Sequence, residues 1–413
     1  MPSPNIAQIA PASKTWLGVG RELFAGTAVL PVQTIPLLKN SYQPEDTPKW
    51  LHDEAIRGSM ALVFNDIQGV VDSTFSYGGP AFLDVEGYFL DNLFGDKSDT
   101  ATTFSGTTTL SAQATIGATQ IGVASTANFT AGQYAQVGVG SIAEIVGTIG
   151  VVAGSITFTN TPLRFVHASA GTVYAVNGST GGPFTHTWNI LNNSSGQPPT
   201  HTFTDFTSLT GTVGARAYAG ACVGVIDITG NSEQLLEFKM TGNAFLSVPA
   251  ATYPTNTVST AVPIPNWRST VSVAGSQVYD VGEWSVSLKR TLQVYWTDQG
   301  TDQSPYIIAR GPLDATGMVN FTVPTDESPL TDMLYNAQPA VVFAVNNGFS
   351  GAGTLGMTIT ASQAAFEKAK PERSQVLVGY QDDFQTVANF TNAGGSGGQG
   401  PITVQVVNQV PTY

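Results

Sequence analysis

The side chains best able to move protons or hold metals near neutral pH are few. His52, His167, His186 and His201 are the only histidines, and Cys222 is the only cysteine. His186 and His201 stand fourteen residues apart across a Gly/Pro-rich stretch with no cysteine near either, which is not metal-ligand spacing. They read as solvated loop histidines. The acids of Asp96–Asp99 and of the Asp382-Asp383 pair lack the spacing of an EF-type calcium loop and read as solvated turn residues. The GVG of Gly18–Gly20 lacks the third glycine of a dinucleotide fingerprint. Few acids fall inside apolar runs, which disfavours a glycosidase carboxylate pair. The six tryptophans are scattered, as expected of core and interface packing, not of a sugar platform. Cys222 sits in the apolar run 221–228 and is expected to be a buried thiol with no disulfide partner. The expectation is a chain without catalysis, cofactor or metal.

The elements that carry these residues read as strands. Trp284, Val286 and Leu288 alternate with Ser285, Ser287 and Lys289. Val319, Phe321 and Val323 do the same, as do Leu355, Met357 and Ile359. Residues 221–228 and 235–240 flank Gly230-Asn231 as a hairpin. Residues 59–77 read as strand around a turn at Asn65-Asp66, and the charged stretch 41–58 as an exposed loop. A helix is expected to open at Pro80, run through Phe82, Val85, Phe89 and Leu93, and stop at Gly95. A second starts at Ser328. The fold class is therefore all-β with one or two short helices.

Composition agrees. Only 11% of the residues are charged, against roughly 25% in ordinary soluble domains, while 42% are hydrophobic. So sparsely charged a surface is expected to meet other copies of itself. The net charge of −13, from 16 basic and 29 acidic residues, leaves no basic surplus for holding nucleic acid. No stretch approaches the ~20 apolar residues of a membrane helix, and the N-terminus lacks the pattern of a signal peptide. Segment 105–180 differs in texture: Glu144 and Arg164 are its only charged residues, and its borders are Gly/Ser/Thr-rich. The expected organisation is a flexible arm (1–14), a β body in two parts (15–104 and 181–393) interrupted by an inserted small β domain (105–180), and a Gly-rich linker with a terminal strand (394–413). That strand, with Ile402, Val404 and Val406 on one face, has two possible fates: pairing within its own sheet or docking on a neighbouring subunit.

The opening KTWLGVGRELFAGTAVLPVQTIPL resembles the start of actinobacteriophage-type tail-tube proteins, through Trp16–Val19, Glu22, Gly26, Thr27 and Pro31. Gly58-Ser59, the LFGD that ends the first helix, WSVSLKRTL (284–292) and LDATGMVNFTVP (313–324) follow in that family's order, and 376–413 is the nearest stretch. Segment 105–180 resembles a small β domain found in phage virion proteins. The resemblance covers roughly 14–104 and 200–413. It implies a β-sandwich that lends strands to the inner β-barrel of a homohexameric ring. Such rings stack into the hollow tail of a long-tailed phage, made in the host cytoplasm and located in the virion. Implied partners are the tape-measure, tail-terminator and distal tail proteins, with viral DNA passing unbound through the lumen. On that reading the barrel wall is sought in hairpin 60–77, with Asp66 and Asp72, and hairpin 221–240, with Asp227, Glu233 and Glu237, as lumen-facing acids. Other readings are a baseplate or fibre component, for which no long repeat is visible, or a carbohydrate-binding or depolymerising protein.

Overall fold

A computed structural model describes residues 11–38, 41–58, 60–147, 149–158, 161–178, 180–207, 214–250, 259, 261–298, 300, 302–322, 328–373 and 378–413. Residues 1–10 of the expected arm, Ser59 and Val323 lie outside the described residues.

In chain order the first strands are β1 (Trp16–Arg21), β2 (Gln33–Ile35), β3 (Tyr42–Asp53) and β4 (Asn65–Pro80), then helix α1 (Gly87–Phe94) and β5 (Gly95–Thr100). Short strands follow: β6 (Gly106–Thr109), β7 (Gln120–Gly122), β8 (Tyr134–Val137), β9 (Glu144–Val146), β10 (Gly150–Val152), β11 (Ser155–Thr157) and β12 (Thr172–Val176). Next come β13 (Phe184–Ile190), β14 (His201–Phe206), β15 (Ala215–Asn231), β16 (Glu237–Ala244), β17 (Val248–Pro249), β18 (Thr270–Val273), β19 (Ser276–Val278), β20 (Val281–Tyr295) and β21 (Ile307–Phe321). The chain ends with helix α2 (Ser328–Tyr335), β22 (Val341–Asn346), β23 (Gly356–Ala361), β24 (Ala364–Glu372), β25 (Gly379–Thr386) and β26 (Thr403–Asn408). The protein is mostly β, in antiparallel sheets, with two short α-helices among the described residues.

A twelve-stranded sheet contains the run β3-β4-β16-β15-β20-β21-β25-β24, with β14, β1 and β2 continuing from the first half of β15. A seven-stranded sheet runs β19-β18-β22-β23-β26-β13-β5. One continuous apolar core joins the two sheets and α1. Trp284 of the larger sheet stacks on Phe343 of the smaller, their centroids 4.7 Å apart. Strand alternation explains the arrangement. Trp284, Val286 and Leu288 are buried while Ser285, Ser287 and Lys289 face away, and β16 does the same with Phe238 and Met240. Strands β6–β12 pair only with one another, in a four- and a three-stranded sheet, around their own cluster of Leu110, Val123, Val137, Ile156 and Val173.

Several expectations need correction. Residues 42–53 form an edge strand, not a loop; charges and prolines suit a strand with one open edge. Asn65-Asp66 begins β4, so the β3–β4 connection is 54–64. The β15–β16 turn is 232–236. Gly230 stays in the ladder opposite Trp284, and a Cβ there would sit 2.4 Å from the indole, so this glycine serves close packing. The first helix starts at Gly87, because Pro80 is still paired with Glu237 and the Ala81 amide still donates to Leu236. It ends at Gly95, as expected.

The terminal segment is corrected too. Gly394, Gly395, Gly398 and Gly400 are closely packed. Added Cβ atoms at Gly395 and Gly398 would meet Phe165 and Ile190 at 2.6 and 2.7 Å. Ser396 donates through its amide and hydroxyl to Asp96. β26 lies between β13 and β23, with Ile402, Val404 and Val406 fully buried. Both of its edges are occupied within the chain. Of the two fates open to this strand, it takes pairing within its own sheet, and these three residues are not free to dock on a neighbour.

Candidate functional site

Three features could carry function: a buried ionic cluster, the open face of the large sheet, and a projecting ribbon.

The ionic cluster is built where α1, β5, β13 and β14 meet segment 144–167. α1 is buried on every side, and its polar residues Asp91 and Asn92 have no exposure. Arg164 grips Asp91 with two bonds of 2.9 and 3.3 Å, and Arg21 Nε lies 3.5 Å from the same carboxylate. Burial works to raise the Asp91 carboxyl. Arg164, Arg21 and Lys97 together overcome it and hold Asp91 below the usual carboxylate range. One strand away, Lys97 Nζ lies 2.9 Å from Asp99, whose other oxygen lies 2.7 Å from His186 Nδ1. Burial again opposes ionisation, and Lys97 with His186 outweighs it, leaving Asp99 at about 2. His201 receives a 2.9 Å contact from Asn92 at Nδ1 and is pulled down to about 3 by burial, so it is neutral. Glu144 completes the joint, accepting from the Arg164 and Phe165 amides and contacting His167 Nε2 at 2.7 Å.

This cluster has the geometry of a clamp. His186 has both ring nitrogens engaged, Nδ1 with Asp99 and Nε2 with the Val410 carbonyl at 2.8 Å. It has no free nitrogen for a substrate. Among the described residues no set of three or more His, Cys, Asp or Glu side chains could hold a metal ion. The reading of His186 and His201 as solvated is overturned, as is that of Asp96–Asp99: all are buried or nearly so. Asp382 is buried as well, beneath no hydrogen-bonding partner, while Asp383 pairs with Lys368 at 2.9 Å. Cys222 is a buried thiol, as expected. Sequence reading missed Arg164 as an anchor and Glu144 as its support. Their signal was visible as the only two formal charges in a 76-residue stretch: Arg164 fastens it to Asp91 of the body, and Glu144 holds the Arg164 and Phe165 amides within the segment.

The large sheet has one face in the core and one open polar face. Asp72, Asp227 and Glu237 share that open face, in register with Thr47, with Lys239 and Ser287, and with Thr229 respectively. Ser287 donates to Asp227 at 2.6 Å, and Lys239 lies 2.9 Å from Glu237. Strand alternation adds Glu45, Glu283, Asp314, Glu372 and Asp383 to the face, against Lys239, Lys289, Lys368 and Lys370. Acids therefore outnumber bases. The other two expected acids are elsewhere. Glu233 lies exposed in the β15–β16 turn. Asp66 lies beyond a register shift between Pro48 and Trp50, where β4 has one extra residue, and this swaps its face relative to Asp72. It contacts His52 at 2.5 Å.

Beyond that shift, β3 and β4 continue as a two-stranded ribbon with residues 49–52 and 65–68 all exposed. The ribbon and its tip present Trp50, Leu51, Ile56, Met60, Leu62 and Ile67 to solvent. Two contacts between ionisable side chains lie within it, Arg57 with Asp53 and His52 with Asp66, and Lys49 and Glu54 are its other charged residues.

Among the described residues no helix is long and apolar enough to cross a membrane. No protein-family model matches the chain, and no curated protein matches its sequence.

Proposed function

We propose that the chain is a structural subunit that polymerises into stacked hexameric rings, forming the hollow tail tube of a long-tailed bacteriophage through which DNA is delivered. The observation that carries this reading is the ribbon. A two-stranded ribbon is at best marginally stable alone in water. This one exposes six large apolar side chains. Such a surface is suited to another protein surface, and a low overall charge argues that the partner is a second copy. The order of sequence motifs shared with tail-tube proteins supplies the particular assembly.

The acidic open face supports a conduit. DNA binds protein by releasing counterions to Lys and Arg, so a wall bearing more carboxylates than amines gives the polyanion nothing to hold. Asp72, Asp227 and Glu237 are the residues assigned to that wall. The ionic clamp fixes segment 105–180 to the body, which makes it a rigid fixture of each subunit. Sedimentation velocity of the purified protein over a concentration series tests the reading. Wild type should associate, and Leu51→Ser with Ile67→Ser should reduce association without unfolding the body. A wild-type protein that stays monomeric throughout would count against it.

A further inference from the structure

The run β3-β4-β16-β15-β20-β21-β25-β24 of the large sheet ends at β3 on one side and β24 on the other; each pairs with a single strand. The Gly78 amide donates to the Ser41 carbonyl at 2.8 Å, and these residues are opposite in the register that pairs Tyr42 with Tyr77. Antiparallel pairs alternate between mutually bonded and unbonded. Gln43, Glu45 and Thr47 therefore turn their amides toward β4, and positions 42, 44, 46 and 48 turn theirs away from it. Pro44 and Pro48 occupy two of those four outward positions. A strand adding to this edge would find donors missing at every second site it needs.

The opposite edge is built alike. The Val387 amide donates to the Gln363 carbonyl at 2.9 Å. Alternation along β25 then makes Gln385, Asp383 and Gln381 the residues bonded to β24. Tyr380 and its partner Pro371 form an unbonded pair, so the amide that proline lacks is again an outward one. Placed at a bonded position, any of the three prolines would have broken the sheet's own ladder. All three instead stand where their cost falls on an incoming strand.

We infer that copies of this chain do not join by strand addition at β3 or β24: both of these edges are closed to strand addition by a second copy, and the joint between neighbours there is made by side chains. The part concerning the joint rests on the polymerisation proposed above; the closure of the edges does not. A barrel in which several copies meet at these edges is then interrupted at each subunit boundary, not one continuous hydrogen-bonded sheet.

The test combines amide hydrogen exchange with sedimentation velocity, on wild type and on Pro44→Thr/Pro48→Thr, which restores two outward donors. In wild-type assemblies the Tyr42 and Asp46 amides should exchange as fast as in the dissociated protein. The variant should form larger, heterogeneous species in which those amides are slowed roughly tenfold or more. Pro371→Thr on β24 gives the same reading if the β3 variant does not fold. Protection of Tyr42 and Asp46 in wild-type assemblies would overturn the inference, as would variants with an unaltered size distribution. If wild type never associates, the polymerisation reading fails, and the variants' sizes alone still decide whether the prolines close the edges.

Discussion

Replacing Arg164 with Met removes the main partner of a carboxylate that has no exposure. Breaking a buried ion pair from one side costs about 3–5 kcal/mol, because a charge is left behind without compensation. Arg21 stays 3.5 Å from Asp91, which places the expected loss near the lower end, about 3 kcal/mol. A double-mutant cycle in urea unfolding measures the pair itself. Asp91→Asn and Arg164→Met should each destabilise, and the double variant should be more stable than their sum by about 2 kcal/mol. The pH dependence carries the same signature. Asp91 and Asp99 have folded pKa values below their unfolded ones, so their stabilisation is present above the unfolded carboxyl range and is lost as pH falls through the folded values. For Asp99 the window runs from about 4 down to about 2. Arg164→Met should flatten the acid limb, since Arg164 is the charge that most lowers Asp91. Additivity within roughly 0.5 kcal/mol and an unchanged acid limb would refute the clamp.

Burial, reinforced by Asp332 and Asp383, raises Asp382 to about 7, so its ionisation opposes folding increasingly as pH rises from about 4 through 7. Asp382→Asn should therefore stabilise the protein at pH 8 by about 1–2 kcal/mol after solvent screening, with little effect at pH 4, as read by thermal melts. Val404→Pro puts a residue without an amide into a strand bonded on both sides; it should abolish folding as judged by circular dichroism, not merely block polymerisation. Excising 105–180 leaves Asp91 without Arg164, so the shortened chain should give a native exchange pattern only when Asp91→Asn is added. Changing Asp72, Asp227 and Glu237 to Lys should alter stability by no more than about 1 kcal/mol in total yet slow DNA ejection from particles that carry the variant.

The sequence made the β class and the inward residues of most strands legible, because period-two alternation survives wherever one face is buried. Trp284–Leu288 and Phe238–Met240 are examples. Edges were harder. β3 reads as a loop because protecting an open edge and forming a loop call for the same residues: charges, Thr and Pro. Buried charge was harder still. Asp91, Lys97 and Asp99 look like surface residues in sequence, since Arg164, which pairs with Asp91, lies 73 positions away, and His186, which joins the Lys97–Asp99 pair, lies 87 from Asp99. The terminal glycines misled for a related reason: glycine permits flexibility in an isolated chain and close backbone approach in a packed one. Asp72, Asp227 and Glu237 came together on one face as hairpin alternation allows, whereas the register shift that displaces Asp66 has no mark in sequence.

Cryo-electron microscopy of the purified protein at high concentration tests the central claim most directly. The account predicts sixfold rings or hollow tubes with the face bearing Asp72, Asp227 and Glu237 toward the lumen and the 49–67 ribbon buried against a neighbouring copy. Single, unassociated particles, or an assembly whose lumen is lined by another face, would contradict it.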